Sequence, residues 1–339
     1  MKKILTILLI IPLCLGFSIP SYAAEHVPFV KQEKMYTYMN MREDIYVMTT
    51  VYPQLKFEIL GQTADNRDIF VLTLGNKNAE HKILVQASIH AREYMNSQIV
   101  MSQVAYYLSN WNNEYKEGVT YGEIFEDCCL IIFPMVNPDG VSISQFGLDG
   151  IKNEELREIA RNYIIREHVS YWKGNANGVD LNRNFNCGWN NKEAMELLNE
   201  APAYAYFNGF EPETEPEIKA IIKVIEENEF DAAVCYHSSG NQVFWHSTNE
   251  ALNPVIQDLA YLTGEVTKYE VCVGNPVLRG LDYQWLTKTC NIPTVLIETG
   301  GYAAPLPEYT YNTVWKQNKY VLSELGLYFY NQVEETEGE

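Results

Sequence analysis

Four short apolar runs punctuate the chain, at 83–89, 129–133, 231–236 and 294–297. Each has the length of a strand and is followed by a longer helical pattern, which predicts an α/β sheet covered on both faces. Over 94–111, Ile99, Val100, Gln103, Val104, Tyr107 and Leu108 recur at helical spacing, with Ser97 and Ser102 off the stripe. Pro216–Glu226 opens with proline and an acidic first turn, as a helix start should. A final helix is expected over 313–331.

Three segments change that picture at the ends. Two lysines, an apolar run from Ile4 to Phe17 and the small-residue stretch Ser21-Tyr22-Ala23 predict a secretory leader cleaved after Ala23. The run is too short for a bilayer span, which takes about 20 residues. Bulky Leu13 before Cys14 argues against a lipid anchor. The expected product is secreted, extracellular or held in the cell wall, with no stable membrane insertion after cleavage. No linker or repeat divides the remainder, so residues 24–333 are expected to form one domain and 334–339 a solvated acidic tail.

The formal net charge is −19, from 44 Asp and Glu against 25 Lys and Arg. That excludes a basic footprint for nucleic acid or anionic lipid. Cys128, Cys129, Cys187, Cys235, Cys272 and Cys290 follow the leader, and none shows zinc-knuckle spacing. Disulfides and buried free thiols both fit.

The candidate chemistry sits where the strands end. His90 follows the first run, Asn137-Pro138-Asp139-Gly140 the second, His237 the third and Glu298 the fourth. Ligands of open α/β sheets bind outside the carboxyl ends of strands, so these segments should converge on one crevice. His90 and Glu93, three apart across a strand end and a first helical turn, can reach one ion. Zinc in hydrolases commonly takes two His and one Glu, and His237 is the best-placed distant partner, giving one Zn2+ per chain. His26 and His81 lie in polar or N-terminal stretches, His168 in a charged helix, and His246 follows Val243-Phe244-Trp245.

Glu298 ends an apolar strand before Thr299-Gly300-Gly301. Partial burial should raise its pKa, which suits a general base, although an acid that only anchors the turn fits the same place. In Gly178–Phe185, Arg183 offers a planar fork and Asn182 an amide, so the two can grip an acidic substrate end. A turn built on an Asp180–Arg183 pair fits that segment as well.

With SIHAREY at 88–94, VNPDG at 136–140, GVDLNRNF at 178–185, YHSSG at 236–240 and TVLIETGG at 294–301, the chain resembles the carboxypeptidase A-like zinc carboxypeptidases from about Tyr36 to Tyr330. The resemblance implies a mixed, largely parallel central sheet with helices on both faces. It implies His90, Glu93 and His237 as zinc ligands, and Glu298 as the base and acid of hydrolysis near a free C-terminus by a zinc-activated water. Asn182 and Arg183 would bind the terminal carboxylate, with Arg92 lining the same groove. The cation that steadies the developing oxyanion is Lys173, where the family carries arginine. The tyrosine expected some twenty-two residues before Glu298 is missing, and Tyr269 or Tyr283 are its candidate substitutes. WKGNANGVDLNRNF from Trp172, HSSGNQVFW from His237 and PLPEY from Pro305 are similar to the bacterial branch that cuts peptidoglycan stem peptides at the γ-D-glutamyl-diamino acid bond. In that case Arg279, near the expected side-chain pocket, would meet a substrate carboxylate. An exported binding protein without catalysis is disfavoured because all three ligands and Glu298 are present. A serine or cysteine hydrolase finds no G-x-S-x-G or Cys-His pattern.

Overall fold

A computed structural model describes residues 30–337; the leader expected over 1–23 lies outside them. Eight strands form one sheet: β1 Leu55–Gln62, β2 Asp68–Leu74, β3 His81–Ala87, β4 Cys128–Phe133, β5 Ala232–His237, β6 Gln242–Trp245, β7 Glu270–Val273 and β8 Thr294–Glu298. Their spatial order is β1-β2-β4-β3-β5-β8-β6-β7. The middle four, β4, β3, β5 and β8, run parallel and coincide with the four apolar runs. β2 and β6 join this block antiparallel. The sheet is therefore mixed, with a parallel centre.

Both faces of that centre are buried, which is why its strands read as near-continuous apolar runs, broken in β3 by Gln86, itself buried and hydrogen-bonded to Cys235 Sγ. Ile83, Val85 and Ala87 of β3 face one hydrophobic cluster and Leu84 the other. The first face is covered by helices Tyr38–Val51, Met95–Ser109, Asn253–Thr267, Tyr311–Asn318 and Val321–Glu337, through residues such as Ile45, Ile99, Leu259, Val314 and Leu325. Pro216–Glu226 and Asp282–Lys288 cover the other, through Ile221 and Leu286. Each such fully buried side chain contributes about 2 kcal/mol of transfer free energy.

Two expectations change in detail. The helix expected over 313–331 is divided: one helix ends at Asn318, and the next begins at Val321 and runs on to Glu337. Ser97 and Ser102, off the apolar stripe of helix Met95–Ser109, are fully buried with the rest. Their hydroxyls pair with Ser88 Oγ and Tyr311 Oη, both at 2.7 Å. All six cysteines among the described residues are free thiols, so of the two alternatives left open by the sequence these residues take the second.

The Asn137–Gly140 segment is a brace rather than part of the reacting surface. Asn137 caps helix Pro138–Phe146 by accepting from the Gly140 N–H, and its Nδ2 donates to the carbonyl of Ile89, immediately before His90. Asp139 is buried and accepts from Thr63 Oγ1 and Arg67 Nη1, each at 2.7 Å. The crevice thus collects its chemistry from β3, β5 and β8.

Candidate metal centre

His90 leaves β3 in an extended conformation (φ −85°, ψ 126°) and starts a single 3-10 turn, Ala91–Glu93. That turn brings Glu93 back beside its own histidine, with Oε1 2.9 Å from His90 Nδ1. From the end of β5, His237 Nδ1 lies 3.1 Å from Glu93 Oε2 and 3.2 Å from His90 Nδ1. One donor atom of each of the three residues lies within 4.8 Å of the other two, and all three residues are buried.

The outer ring nitrogens face carboxylates. His237 Nε2 stands 3.2 Å from Asp282 Oδ2, and His90 Nε2 stands 3.5 Å from Asp180 Oδ1, long for a hydrogen bond. With each Nε2 turned to an acid, both Nδ1 lone pairs are free to point at one place. Two imidazole nitrogens and one carboxylate are a donor set suited to zinc, so the residues fit the ion that the sequence implies. Burial alone would raise the Glu93 carboxyl, but the two histidine rings hold it well below the usual carboxylate range. Its Oε2 also accepts the Ser238 N–H at 3.1 Å. Ser238 Oγ pairs with Thr299 Oγ1 at 2.8 Å, and Thr299 Oγ1 donates to Asn96 Oδ1, so the ends of β5 and β8 are tied behind the trio.

Glu298 ends β8 and pairs in register with His237 on β5. Its Oε2 is buried with no hydrogen-bond partner. Burial pushes its carboxyl up to about 7; Glu93 adds to the rise, and His237, His90 and Lys173 oppose it. An acid that merely anchored the turn would use its oxygens to do so. This one leaves an oxygen open beside the trio.

Of the cations of the sequence reading, Lys173 and Arg183 stand near this centre, both lowering the Asp180 carboxyl. The Lys173 carbonyl accepts from the Ala91 N–H at 3.2 Å, which fastens that segment to the 3-10 turn. The Asp180–Arg183 pair does not form, since Asp180 turns to His90 and to the Tyr206 N–H, while Arg183 Nη1 donates to the Asn182 carbonyl at 2.6 Å. Asn182 uses its Oδ1 to accept the Asp282 N–H at 2.7 Å, leaving its amide nitrogen as the donor for a ligand. Gly280, at φ +71°, packs on Arg183: a Cβ there would stand 2.5 Å from the Arg183 carbonyl oxygen. Only glycine lets the loop carrying Arg279 approach so closely. Arg92 and Arg279 each hold a buried Nε without a partner. Among the described residues, none of Arg92, Lys173, Arg183 and Arg279 has a carboxylate within 4.0 Å.

Neither candidate tyrosine is free. Tyr269 Oη takes bonds from Asn318 Nδ2 and the Gly300 N–H, and Tyr283 Oη donates to the Asn275 carbonyl. Three contributors were invisible as such in the sequence. Asp180 was visible only as a turn acid, Asp282 reads as an ordinary acid at a helix start, and Tyr206 belongs to no spaced motif.

Comparison with known proteins agrees with this geometry. Residues 41–270 match the zinc carboxypeptidase family profile. An uncharacterized Bacillus subtilis (strain 168) protein, YqgT, is 29% identical over 246 residues, covering 71% of this chain and 64% of its own length. This chain thus spans less than two thirds of that relative. The γ-D-glutamyl-L-diamino acid endopeptidase 1 of Lysinibacillus sphaericus is 28% identical over 295 residues, covering 85% of this chain and 71% of that enzyme. The crystal structure of thrombin-activatable fibrinolysis inhibitor superposes with a TM-score of 0.69 at 17% identity, covering 91% of this chain and 77% of that one, which shows a shared fold. Matched over well above half its length, with the His-Glu-His trio in place, the chain belongs to the zinc carboxypeptidase family.

Proposed function

We propose that this chain is a secreted zinc-dependent peptidase that hydrolyses the peptide bond next to a carboxylate-bearing end of its substrate. The reading rests on one arrangement: a buried, unpartnered carboxylate oxygen of Glu298 on the strand beside His237, next to the ligand trio. His90, Glu93 and His237 would hold the ion, which when bound supplies Lewis acidity to a carbonyl oxygen and acidity to a water. Glu298 takes a proton from the attacking water and returns it to the departing amine. A carboxyl pushed up to about 7 is suited to both transfers near neutral pH. Lys173 offsets negative charge developing on the carbonyl oxygen. Asn182 and Arg183 orient the free carboxylate, with Arg92 and Arg279 as further cations.

A second reading, cleavage of peptidoglycan stem peptides at the γ-D-glutamyl-diaminopimelate bond, is favoured by the Lysinibacillus sphaericus relative and its 85% coverage of this chain. Diaminopimelate carries two carboxylates, and the cations without acidic partners suit such a residue. Export, expected from the leader, would place the protein with a wall substrate. Zinc-loaded protein incubated with a C-terminally free peptide and with a diaminopimelate-containing muropeptide, followed by mass analysis, tests both. Loss of the C-terminal residue supports the first, and scission after γ-D-glutamate the second. Intact substrates in both tubes would overturn the peptidase reading.

A further inference from the structure

Tyr206 stands out because its backbone and its ring make opposite demands. Its φ of 64° places a bulky aromatic residue in the left-handed region, a conformation that costs about 1–3 kcal/mol. The backbone is nonetheless pinned on both sides: its N–H donates to Asp180 Oδ2 at 3.1 Å, and its carbonyl accepts from the Asn199 N–H at 2.8 Å. The first of these bonds fixes it to the acid that faces His90. The ring gains little burial in return, being 38% exposed.

What the ring does touch is cationic. Lys173 Nζ lies 5.5 Å from its centroid and the Arg183 guanidinium carbon 5.6 Å from it. Both distances fall within the range at which an aromatic quadrupole attracts a cation. The two like charges gathered at one ring share the field of one buried acid, Asp180, which also faces His90, and neither has a carboxylate within 4.0 Å. A strained residue that is held by two backbone bonds, half-open to solvent and set against two unpaired cations points to a ligand rather than to folding.

We propose that Tyr206 is a specificity-determining residue, its ring the platform that holds Arg183 toward the carboxylate of an acidic substrate residue, with Lys173 fixed beside it for the adjoining carbonyl oxygen. The ring makes no ion pair of its own and so leaves both charges available. It also restricts the long side chains, so less rotamer freedom is lost when an anion arrives. The inference rests on the carboxylate-binding role proposed above for Arg183.

Tyr206→Gly is the sharpest test, because glycine accepts the left-handed backbone while removing the ring. Zinc-loaded wild type, Tyr206→Gly and Tyr206→Phe are titrated calorimetrically with meso-diaminopimelate and with its diamide. Wild type and Tyr206→Phe are expected to prefer the acid. Tyr206→Gly should bind the acid about tenfold more weakly and the diamide unchanged, with zinc content and melting temperature no lower than wild type. An unchanged acid-to-diamide ratio in Tyr206→Gly, or no preference in wild type, would overturn the proposal. Should Tyr206→Gly fail to fold, Tyr206→Asn, which also tolerates positive φ, carries the same expectation. Because the titration needs no turnover, a Tyr206-dependent preference in a protein that cuts no peptide would sink the peptidase reading alone. Cleavage with wild-type acid preference in Tyr206→Gly would sink this one alone.

Discussion

Glu298 and His237 are register partners on adjacent parallel strands, so the proposed base and a proposed metal ligand share one rung of the sheet. Replacing Glu298 by Gln keeps the shape and removes the proton acceptor. Zinc content should stay stoichiometric while peptide hydrolysis falls by about a thousandfold. Wild-type turnover in Glu298→Gln would remove Glu298 from the chemistry.

The acid behind His237 gives a graded prediction. Asp282→Asn loses the charge facing Nε2, and zinc affinity measured by competition with a chromophoric chelator should drop about 10–100-fold. His237→Ala should lose the ion altogether under the same competition. Equal affinities for Asp282→Asn and wild type would show that Asp282 does not support the ligand.

Arg183→Ala leaves Asn182 in place and removes the planar fork. The specificity constant kcat/KM should fall about a hundredfold for a peptide with a free C-terminus and little for its amide, since one charged hydrogen-bonded pair contributes roughly 2–3 kcal/mol. Equal losses for both peptides would count against carboxylate recognition at this position.

A stability prediction comes from outside the site. Asp44 accepts a hydrogen bond from Tyr36 Oη at 2.5 Å, and burial pushes its carboxyl up to about 6 from an ordinary value of 3.8. A raised carboxyl means that the folded chain binds the proton more tightly than the unfolded one. Stability is therefore highest below the ordinary pKa and declines as pH rises from about 4 to about 6. Asp44→Asn removes that decline. Allowing for the carboxyl's partial exposure, the variant should be about 1 kcal/mol more stable at pH 7.5 and unchanged at pH 3.5. Chemical denaturation at the two pH values decides, and equal gains at both would refute the ionisation argument.

The parts of this molecule that were legible in the sequence are those whose physics is local or repetitive. β3, β4, β5 and β8 are buried on both faces, so little beyond Gln86 interrupts their apolar runs. β1 is buried only at Leu55 and β7 at none of its residues, so neither stands out by pattern. His90 and Glu93 announce themselves by spacing, and His237 and Glu298 by standing where apolar runs stop. Asp282 gives no such signal, because its partner lies 45 residues away and a helix-start aspartate has a commoner use. Tyr206 is hidden for a related reason. Its contacts to Lys173 and Arg183 come from a loop whose path only the folded chain defines.

The shared rung has a last consequence. Because side chains alternate across a strand, sliding β8 by one residue against β5 would turn Glu298 to the opposite face and drive Val295 and Leu296 into the wrong layers. Hydrophobic packing therefore sets the alignment of Glu298 with His237. On the mechanism proposed above, a methyl group lost deep in β5 or β8 would be felt twice, as lost stability and as a shifted Glu298.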